Sequence, residues 1–389
     1  MSNATASRPA RTQARAATKW IHTWTGVIFG AVISVICLTG SVIVFRQEVE
    51  KPPRLQKPVS HHASLDQAAQ QIVRLQPGAQ VTRVRFPASP NDPYVFQIRS
   101  ADSQTRRFIL DMSSAQVLGE LKKVAWLDWM IDLHRNVLSA KPGRKVVGGI
   151  GILTFALAAT GLLLWLINGG SLRAMVTIRT GPSRRFNFEL HRVVGLWTLA
   201  FLLLLALTGV GLAYPQTLHD AWERVTGTPA TVRTPKIIGS QLQHPHSLDE
   251  YIAIARAALP DGVPTELRLP ESPTGPVVVR FWRPGDWTPT GSNRVYIDPA
   301  STNVLSADVA ANWPLGVRLF QSLSPIHYGE WGGLPVKMLW SLFGAAPTAL
   351  FITGLLVWWR PARRKPSRKV YLEVQSPETS PVNEPVAPR

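Results

Sequence analysis

Cysteine is almost missing: Cys37 stands alone among 389 residues. One thiol excludes a disulfide framework and a thiolate cluster, and its place inside an apolar run reads as a small core residue. Acidic side chains are scarce too, 24 against 42 Lys and Arg, which leaves a formal net charge of +18. The shortage is sharpest in four apolar runs, 20–45, 146–167, 193–214 and 336–359, which hold no Asp, Glu or Arg and a single Lys, Lys337. Carriers coupled to ions or protons need titratable groups inside the bilayer, whereas electrons can pass between cofactors without any, so this absence favours electron transfer over transport. Nucleotide and metalloprotease motifs are absent as well. The Gly148-Gly149-Ile150-Gly151 run lies inside an apolar stretch and reads as packing, not phosphate binding.

Each of the four runs reaches the ~20 residues that cross a bilayer as a helix, so the chain reads as a mainly α membrane protein built on a four-transmembrane-helix bundle. The first run is too long, and lacks the small-residue pattern, for a cleaved signal; it reads as a retained anchor. The excess positive charge follows this topology. Arg8, Arg11, Arg15 and Lys19 precede the first span, Arg173, Arg179, Arg184, Arg185 and Arg192 lie between the second and third, and Arg360, Arg363, Arg364, Lys365, Arg368 and Lys369 follow the fourth. All three clusters share one side, which puts both termini in the cytoplasm and makes lipid, not nucleic acid, the partner of the charge. Arg135, Lys141, Arg144 and Lys145 dissent, outside the second span. The domains are then a cytoplasmic segment 1–19, an outer unit 46–144, a cytoplasmic loop 168–192, a second outer unit 215–335, and a cytoplasmic tail 360–389 whose Pro-, Glu- and Ser-rich end reads as partly disordered.

The outer units resemble one another. Ser64-Leu65-Asp66-Gln67 and Ser247-Leu248-Asp249-Glu250 both carry a capping-box pattern that starts a short helix. Extended runs follow at 81–86, 94–99 and 107–111 in the first unit and at 265–269, 277–282 and 294–298 in the second, each series ending in turn-like residues. Both units are expected to be α+β, a helix on a small antiparallel sheet.

The membrane spans are matched in pairs by histidine. His22 and His191 stand 18 residues before Gly40 and Gly209, with Gly26 and Gly195 four residues after each histidine. His134 and His327 stand 27 residues before Gly161 and Gly354, with Gly151/Gly344, Thr160/Thr353 and Trp165/Trp358 in register. The whole chain therefore reads as an internal duplication. Histidine is costly at a membrane and well suited to ligate a metal or haem iron there, so four histidines in duplicate point to cofactor ligation. Their bland alternative is an interfacial side chain snorkelling to headgroups. His61, His62, His244 and His246 lie in polar stretches and read as solvated loop, and His219 has no counterpart.

These residues resemble the PepSY-associated transmembrane proteins, also called iron-regulated or PiuB-like membrane proteins, over residues ~15–365. The resemblance is carried by His22-Thr-Trp-Thr-Gly26, Leu133-His134-Arg135-Asn-Val-Leu138, Leu190-His191-Arg192-Val-Val-Gly195, His327-Tyr-Gly329-Glu-Trp-Gly332-Gly333-Leu334-Pro335 and the Thr-Gly-Leu-Leu-x-Trp that closes spans two and four. It implies a bacterial inner-membrane protein with two PepSY units in the periplasm, connected to iron and siderophore use, some members being haem-containing ferric-siderophore reductases. Thr23 departs from it, since many members have arginine after that histidine.

By depth, His22 pairs with His191 near the cytoplasm and His134 with His327 near the periplasm. The expectation is two b-type haems, each held by two histidines, with Arg135 and Arg192 placed to meet propionates or headgroups. Gly40 and Gly209, five helical turns from their histidines, are expected to leave room for close helix crossing or a flat cofactor. The chain is accordingly read as an oxidoreductase that passes electrons from a quinol or a cytoplasmic reductase to a periplasmic acceptor, a ferric siderophore gripped between the PepSY units. Two alternatives stand beside it: a non-catalytic module that binds a periplasmic peptidase, and an iron-chelate permease.

Overall fold

In the computed structural model, which describes residues 8–56, 63–179, 181–237, 246–286 and 288–359, helices fill one end of the molecule and a β-sheet the other. The expected disordered tail lies outside the described residues. Helices α1 (Arg8–Ile43), α5 (Ala140–Ile167), α6 (Ser183–Ala213) and α10 (Gly333–Trp359) are long and apolar enough to cross a membrane. All four begin upstream of their apolar runs. Hydropathy marks the length that meets lipid, whereas in α1, α5 and α6 the backbone hydrogen-bond ladder continues upstream into basic stretches whose Arg and Lys are good helix formers. Helix α1 packs on α5 and α10, and α6 packs on the same two, so α1 and α6 stand diagonally across a ring of four. Lys337, in the first turns of α10, is 3% exposed and donates to Glu48 of the short helix α2 (Arg46–Val49) at 2.7 Å.

Two shorter helices cover the sheet-side end of this ring. Helix α4 (Ala125–Asn136) precedes α5 and packs on it and on α1; α9 (Leu315–Tyr328) precedes α10 and packs on α6. The turn after α4 is tight enough that a side chain at Gly143 would meet the Asn136 carbonyl at 1.6 Å. Glycine is therefore required there. Helix α7 (Pro215–Thr226) follows α6 directly after Tyr214.

The expected pair of separate sheets is one sheet. Strands β1 (Gln80–Arg85), β2 (Tyr94–Arg99), β3 (Thr105–Asp111), β4 (Gln116–Glu120), β5 (Val263–Arg268), β6 (Val277–Trp282), β7 (Asn293–Ile297) and β8 (Val304–Asp308) lie in the order β4-β3-β2-β1-β5-β6-β7-β8. All neighbours are antiparallel. The halves join where β1 meets β5, with Arg83 opposite Arg268, Val84 opposite Leu267 and Arg85 opposite Glu266. Val84 and Leu267 are fully buried there, each contributing about 1.5–3 kcal/mol by burial. Strands β4 and β8 correct the reading of those residues as turns: each folds back on the strand before it as a short, half-exposed edge strand.

Helices α3 (Leu65–Leu75) and α8 (Leu248–Ala258) cover one face of the sheet, burying Ile72 and Ala255 against Phe96, Ile98, Val279 and Phe281. The capping serines act as their sequence pattern requires. Ser64 Oγ accepts from the Asp66 amide at 3.1 Å, and Ser247 Oγ accepts from the Glu250 amide at 3.3 Å. The structure adds an exchange of carboxylates between the two helices. Asp249 accepts from the Leu65 and Asp66 amides at 3.1 and 3.2 Å and from Ser64 Oγ at 2.6 Å. Asp66 accepts from the Leu248 amide at 2.9 Å and from the Ser247 hydroxyl. Each positive helix start thus holds the other helix's anion, which ties the halves together.

Candidate functional site

Each of the four singled-out histidines is docked on a neighbouring long helix by the same three parts. His22 of α1 directs Nδ1 at the Leu157 carbonyl and Thr160 Oγ1 of α5, both at 3.1 Å. His191 of α6 makes the same contacts to Leu350 (2.9 Å) and Thr353 (3.1 Å) of α10. His134 of α4 reaches Ile36 (2.8 Å) and Thr39 (3.3 Å) of α1, and His327 of α9 reaches Thr208 Oγ1 of α6 at 2.9 Å. Each threonine already donates its own hydroxyl proton to its helix backbone, as Thr160 does to Ala156 at 2.8 Å and Thr208 to Leu204 at 2.8 Å. Carbonyl and hydroxyl can then only accept, so Nδ1 carries the proton and Nε2 is left with its lone pair. None of the four Nε2 atoms makes a hydrogen bond to a described residue. This is the state in which imidazole binds a metal.

A glycine follows each threonine and lies under the docked ring. A side chain would come within 3.3 Å of His22 Cε1 at Gly161, 3.2 Å of His191 Cε1 at Gly354, 2.8 Å of His134 Cε1 at Gly40, and 3.2 Å of His327 Cε1 at Gly209. These distances correct the expected role of Gly40 and Gly209. The room they make is filled by the imidazole of the opposite pair, not by a flat cofactor. Gly26 and Gly195, by contrast, meet only leucine methyls, at 3.7 and 3.6 Å.

The structure brings the histidines together in the pairs expected from depth. The ring centres of His22 and His191 are 6.2 Å apart at an interplanar angle of 89°, and those of His134 and His327 are 6.3 Å apart at 47°. An imidazole with bonds near 1.33 Å has a radius of about 1.1 Å, and a metal–imidazole bond is about 2.0–2.1 Å, so two rings on opposite sides of one metal should have centres about 6.3 Å apart. Both pairs match that separation. Since α1 and α6 are diagonal in the ring, His22 and His191 meet near its axis. Gly40, which receives His134, lies 18 residues along α1 from His22, so the pairs are separated by roughly 27 Å.

The two arginines fare differently. Arg192 donates from Nη2 to the Thr177 carbonyl at 2.9 Å and so anchors the loop before α6, whereas Arg135 is exposed on α4. The indole N–H of Trp165, one turn past Gly161, is buried without a hydrogen-bond partner among the described residues. Of the remaining histidines, 61, 62 and 244 lie outside the described residues. His246 is tied to Glu250 at 3.2 Å and the Ala300 carbonyl at 3.1 Å, and His219 stacks edge-on against Phe320 at 4.5 Å; both are structural contacts.

Sequence reading found the histidines but not their docks. The signal was a Thr-Gly dipeptide in the second half of every span, Thr39-Gly40, Thr160-Gly161, Thr208-Gly209 and Thr353-Gly354, although the same dipeptide also occurs elsewhere in the chain, as at Thr25-Gly26. Comparison with known proteins agrees with this arrangement of spans. The family model of the PepSY-associated TM region matches residues 19–360. An uncharacterized protein of Pseudomonas aeruginosa is 25% identical over 267 residues, a stretch that covers 63% of this chain and 66% of that relative. With nearly all of its length accounted for by that one model, the chain belongs to the PepSY-associated transmembrane family.

Proposed function

We propose that this protein is a bacterial inner-membrane b-type haem protein that passes electrons across the membrane to a periplasmic acceptor, a ferric siderophore or similar iron chelate. The single observation that carries the reading is the ring-centre separation of 6.2 and 6.3 Å in the two histidine pairs, with every Nδ1 pinned and every Nε2 left open. His22 with His191 would hold one haem, and His134 with His327 the other. Such a group would supply a one-electron carrier, and two histidines holding it would suit electron transfer and not oxygen binding. The partnerless indole of Trp165 is the kind of buried donor that a propionate would satisfy.

The protein's own residues fix the geometry. Threonine and carbonyl acceptors hold each ring in one tautomer and one rotation, and the glycine lets the ring approach the partner helix. The basic start of α1 belongs on the cytoplasmic side, which puts the sheet in the periplasm. Repetition of dock, helix cap and strand order in the two halves is read as an internal duplication. The donor is a quinol or a cytoplasmic reductase. One electron per iron converts Fe(III) to Fe(II), which binds hard oxygen ligands less tightly, and the metal is released.

The test is a dithionite-reduced minus oxidised spectrum of the purified protein. An α-band of b-type haem is expected, halved by His22→Ala or His191→Ala and likewise by His134→Ala or His327→Ala. Full haem content in all four variants would refute the ligation, and no α-band in the wild type would refute the redox reading.

A further inference from the structure

We infer that the sheet face turned away from α3 and α8 is the site where the acceptor binds, and that the acceptor is a small polyanion, an iron chelate bearing several carboxylate groups. Calling the ligand an acceptor rests on the redox reading above; the site itself rests on the sheet.

Strand alternation sends Val84, Phe96, Leu267, Val279, Phe281 and Val295 under the two helices. Their neighbours therefore face the other way: Arg83, Arg85, Gln97 and Arg107 in one half, and Glu266, Arg268, Arg280 and Arg294 in the other. Registers place them in contiguous cross-strand rows. Gln97 is opposite both Arg107 and Arg83, Arg83 is opposite Arg268, and Arg280 is opposite both Glu266 and Arg294. Like charges directly opposite one another destabilise a sheet, and here that arrangement occurs at Arg83–Arg268 and at Arg280–Arg294.

The carboxylates present do not neutralise this surface. Glu266 takes Arg268 at 2.6 Å and Arg83 at 3.8 Å, and Glu50 reaches Arg107 at 3.4 Å. Arg294 donates to the neutral amide oxygen of Gln321 at 3.4 Å and stands opposite Asp308 across the β7–β8 pair without a close ion pair to it. Arg280 and Arg85 make no hydrogen bond or ion pair with a described residue, and the Nε atoms of Arg83 and Arg268 are buried without an acceptor. Burial is the main influence that lowers the pKa of Arg280 and of Arg83, and the neighbouring guanidiniums push the same way, against Glu266. A cationic surface so placed is stabilised by an incoming anion with several oxygens, which guanidinium recognises in bidentate fashion.

Its position suits an acceptor. Gln321 lies on α9 six residues before His327, and Asp128 on α4, six residues before His134, shares a hollow with Gln97 and Arg107. Six helical residues span about 9 Å, so the arginine face overhangs the sheet-side histidine pair from both of its supporting helices. A cavity of about 140 Å³ lined by Arg83, Arg85, Gln97 and Arg107, together with the carboxylates of Glu50 and Asp92, has room for one carboxylate arm of the chelate.

The probe is Ga(III)–citrate, which carries Fe(III)-like charge and cannot be reduced, titrated calorimetrically into the full-length protein in zwitterionic nanodiscs. Wild type should bind it, and Arg280→Gln and Arg83→Gln should each weaken binding about tenfold, as expected for loss of one charge-assisted contact. Glu266→Gln, which removes the one central carboxylate, should tighten binding, whereas a purely structural ion pair would give weaker binding or none. A neutral trihydroxamate chelate of Ga(III) should bind far more weakly and be indifferent to all three variants. Unchanged citrate affinity in the arginine variants, or equal binding of the neutral chelate, overturns the site. So does loss of citrate binding when phosphatidylglycerol replaces the zwitterionic lipid, because the face would then be a headgroup site. Binding here needs no haem. Intact binding with no α-band sinks the redox reading alone, and absent binding with normal spectra sinks the anion site alone.

Discussion

Replacing Gly40 by alanine separates a glycine that seats an imidazole from one that merely sits in a helix. The new methyl would lie 2.8 Å from His134 Cε1, and ordinary contact begins near 3.4 Å, so the ring must retreat by at least 0.6 Å (3.4 − 2.8). Retreat along that line stretches the bond from Nδ1 to the Ile36 carbonyl from 2.8 Å to as much as about 3.4 Å, beyond the usual range of about 2.7–3.2 Å. Losing that bond costs about 0.5–1.5 kcal/mol, and crowding a filled site costs about 1–3 kcal/mol. Removing a helix glycine returns about 0.5–1 kcal/mol. The net expectation is a destabilisation of about 1–3 kcal/mol, together with loss of the sheet-side haem, because metal–ligand distances tolerate only about 0.2 Å. Gly149→Ala is the matched control: no heavy atom lies within 4 Å of its would-be methyl, so only the helix-propensity gain applies and the sign reverses. Thermal unfolding of both variants in one detergent, with the haem-to-protein ratio measured alongside, decides the matter. A Gly40→Ala protein that melts no lower than wild type with full haem would refute the docking argument.

Four further outcomes are expected. Leu267→Ala, at the join of the half-sheets where the side chain is fully buried, should cost about 2–5 kcal/mol and lower hydrogen-exchange protection in β1 and β5 together; protection lost in β5 alone would mean the halves fold separately. Asp249→Asn should destabilise the sheet and its helices by about 1–2 kcal/mol at pH 7, through loss of the charge that caps α3. Burial alone would raise the Asp249 pKa, but hydrogen bonds from Ser64, Leu65 and Asp66 outweigh it and hold the group low. A depressed native pKa gives stability that is complete above the unfolded value of about 3.9 and is lost as pH falls through the native one, so urea melts of wild type and variant should converge below about pH 4. Thr208→Val keeps the shape of the His327 dock but removes its acceptor, and should weaken haem retention on the sheet side about 10–100-fold by competition with apomyoglobin; unchanged retention would mean the hydroxyl does not orient the ring. His22→Ala with His191→Ala should lose no more haem than either alone, since one missing ligand already empties the site.

Much of the fold was legible because its signals are local. Apolar runs without charge gave the four spans, and Ser64 and Ser247 marked the starts of α3 and α8 within a residue. Strand alternation gave β2 and β6 with the boundaries the structure shows. What escaped was non-local or weakly patterned. The residues of β4 and β8 are short, polar edge strands whose turn-like composition hides the pairing. Fusion of the two sheets depends on β1 meeting β5, about 180 residues away, and no local pattern announces such a partner. The same distance hid Asp66 and Asp249, which look like ordinary first-turn acids yet each caps the other helix.

At the histidines, repetition did what periodicity could not. A single imidazole at a span end is ambiguous between headgroup contact and ligation, but equal offsets in two halves require any explanation of one to serve for its twin. That argument correctly matched His22 with His191 and His134 with His327, and it failed for the glycines for a geometric reason. Eighteen residues put Gly40 on the same face of α1 as His22 but at the far end of the span, where bare backbone reads as room for a close helix crossing or a flat cofactor. In the folded ring a face is shared by successive visitors along its length: α1 offers His22 at one end and receives His134 at the other, and α6 does the same with His191 and His327. Because α1 and α6 are diagonal, their two faces enclose the axis, and each end of the bundle is closed by one ring pair. Helices α1 and α6 thus take part in placing all four imidazoles, carrying His22 and His191 and docking His134 and His327. A small rotation of either helix would then disturb both pairs at once, whereas a change in α4 or α9 would disturb only the pair beside the sheet.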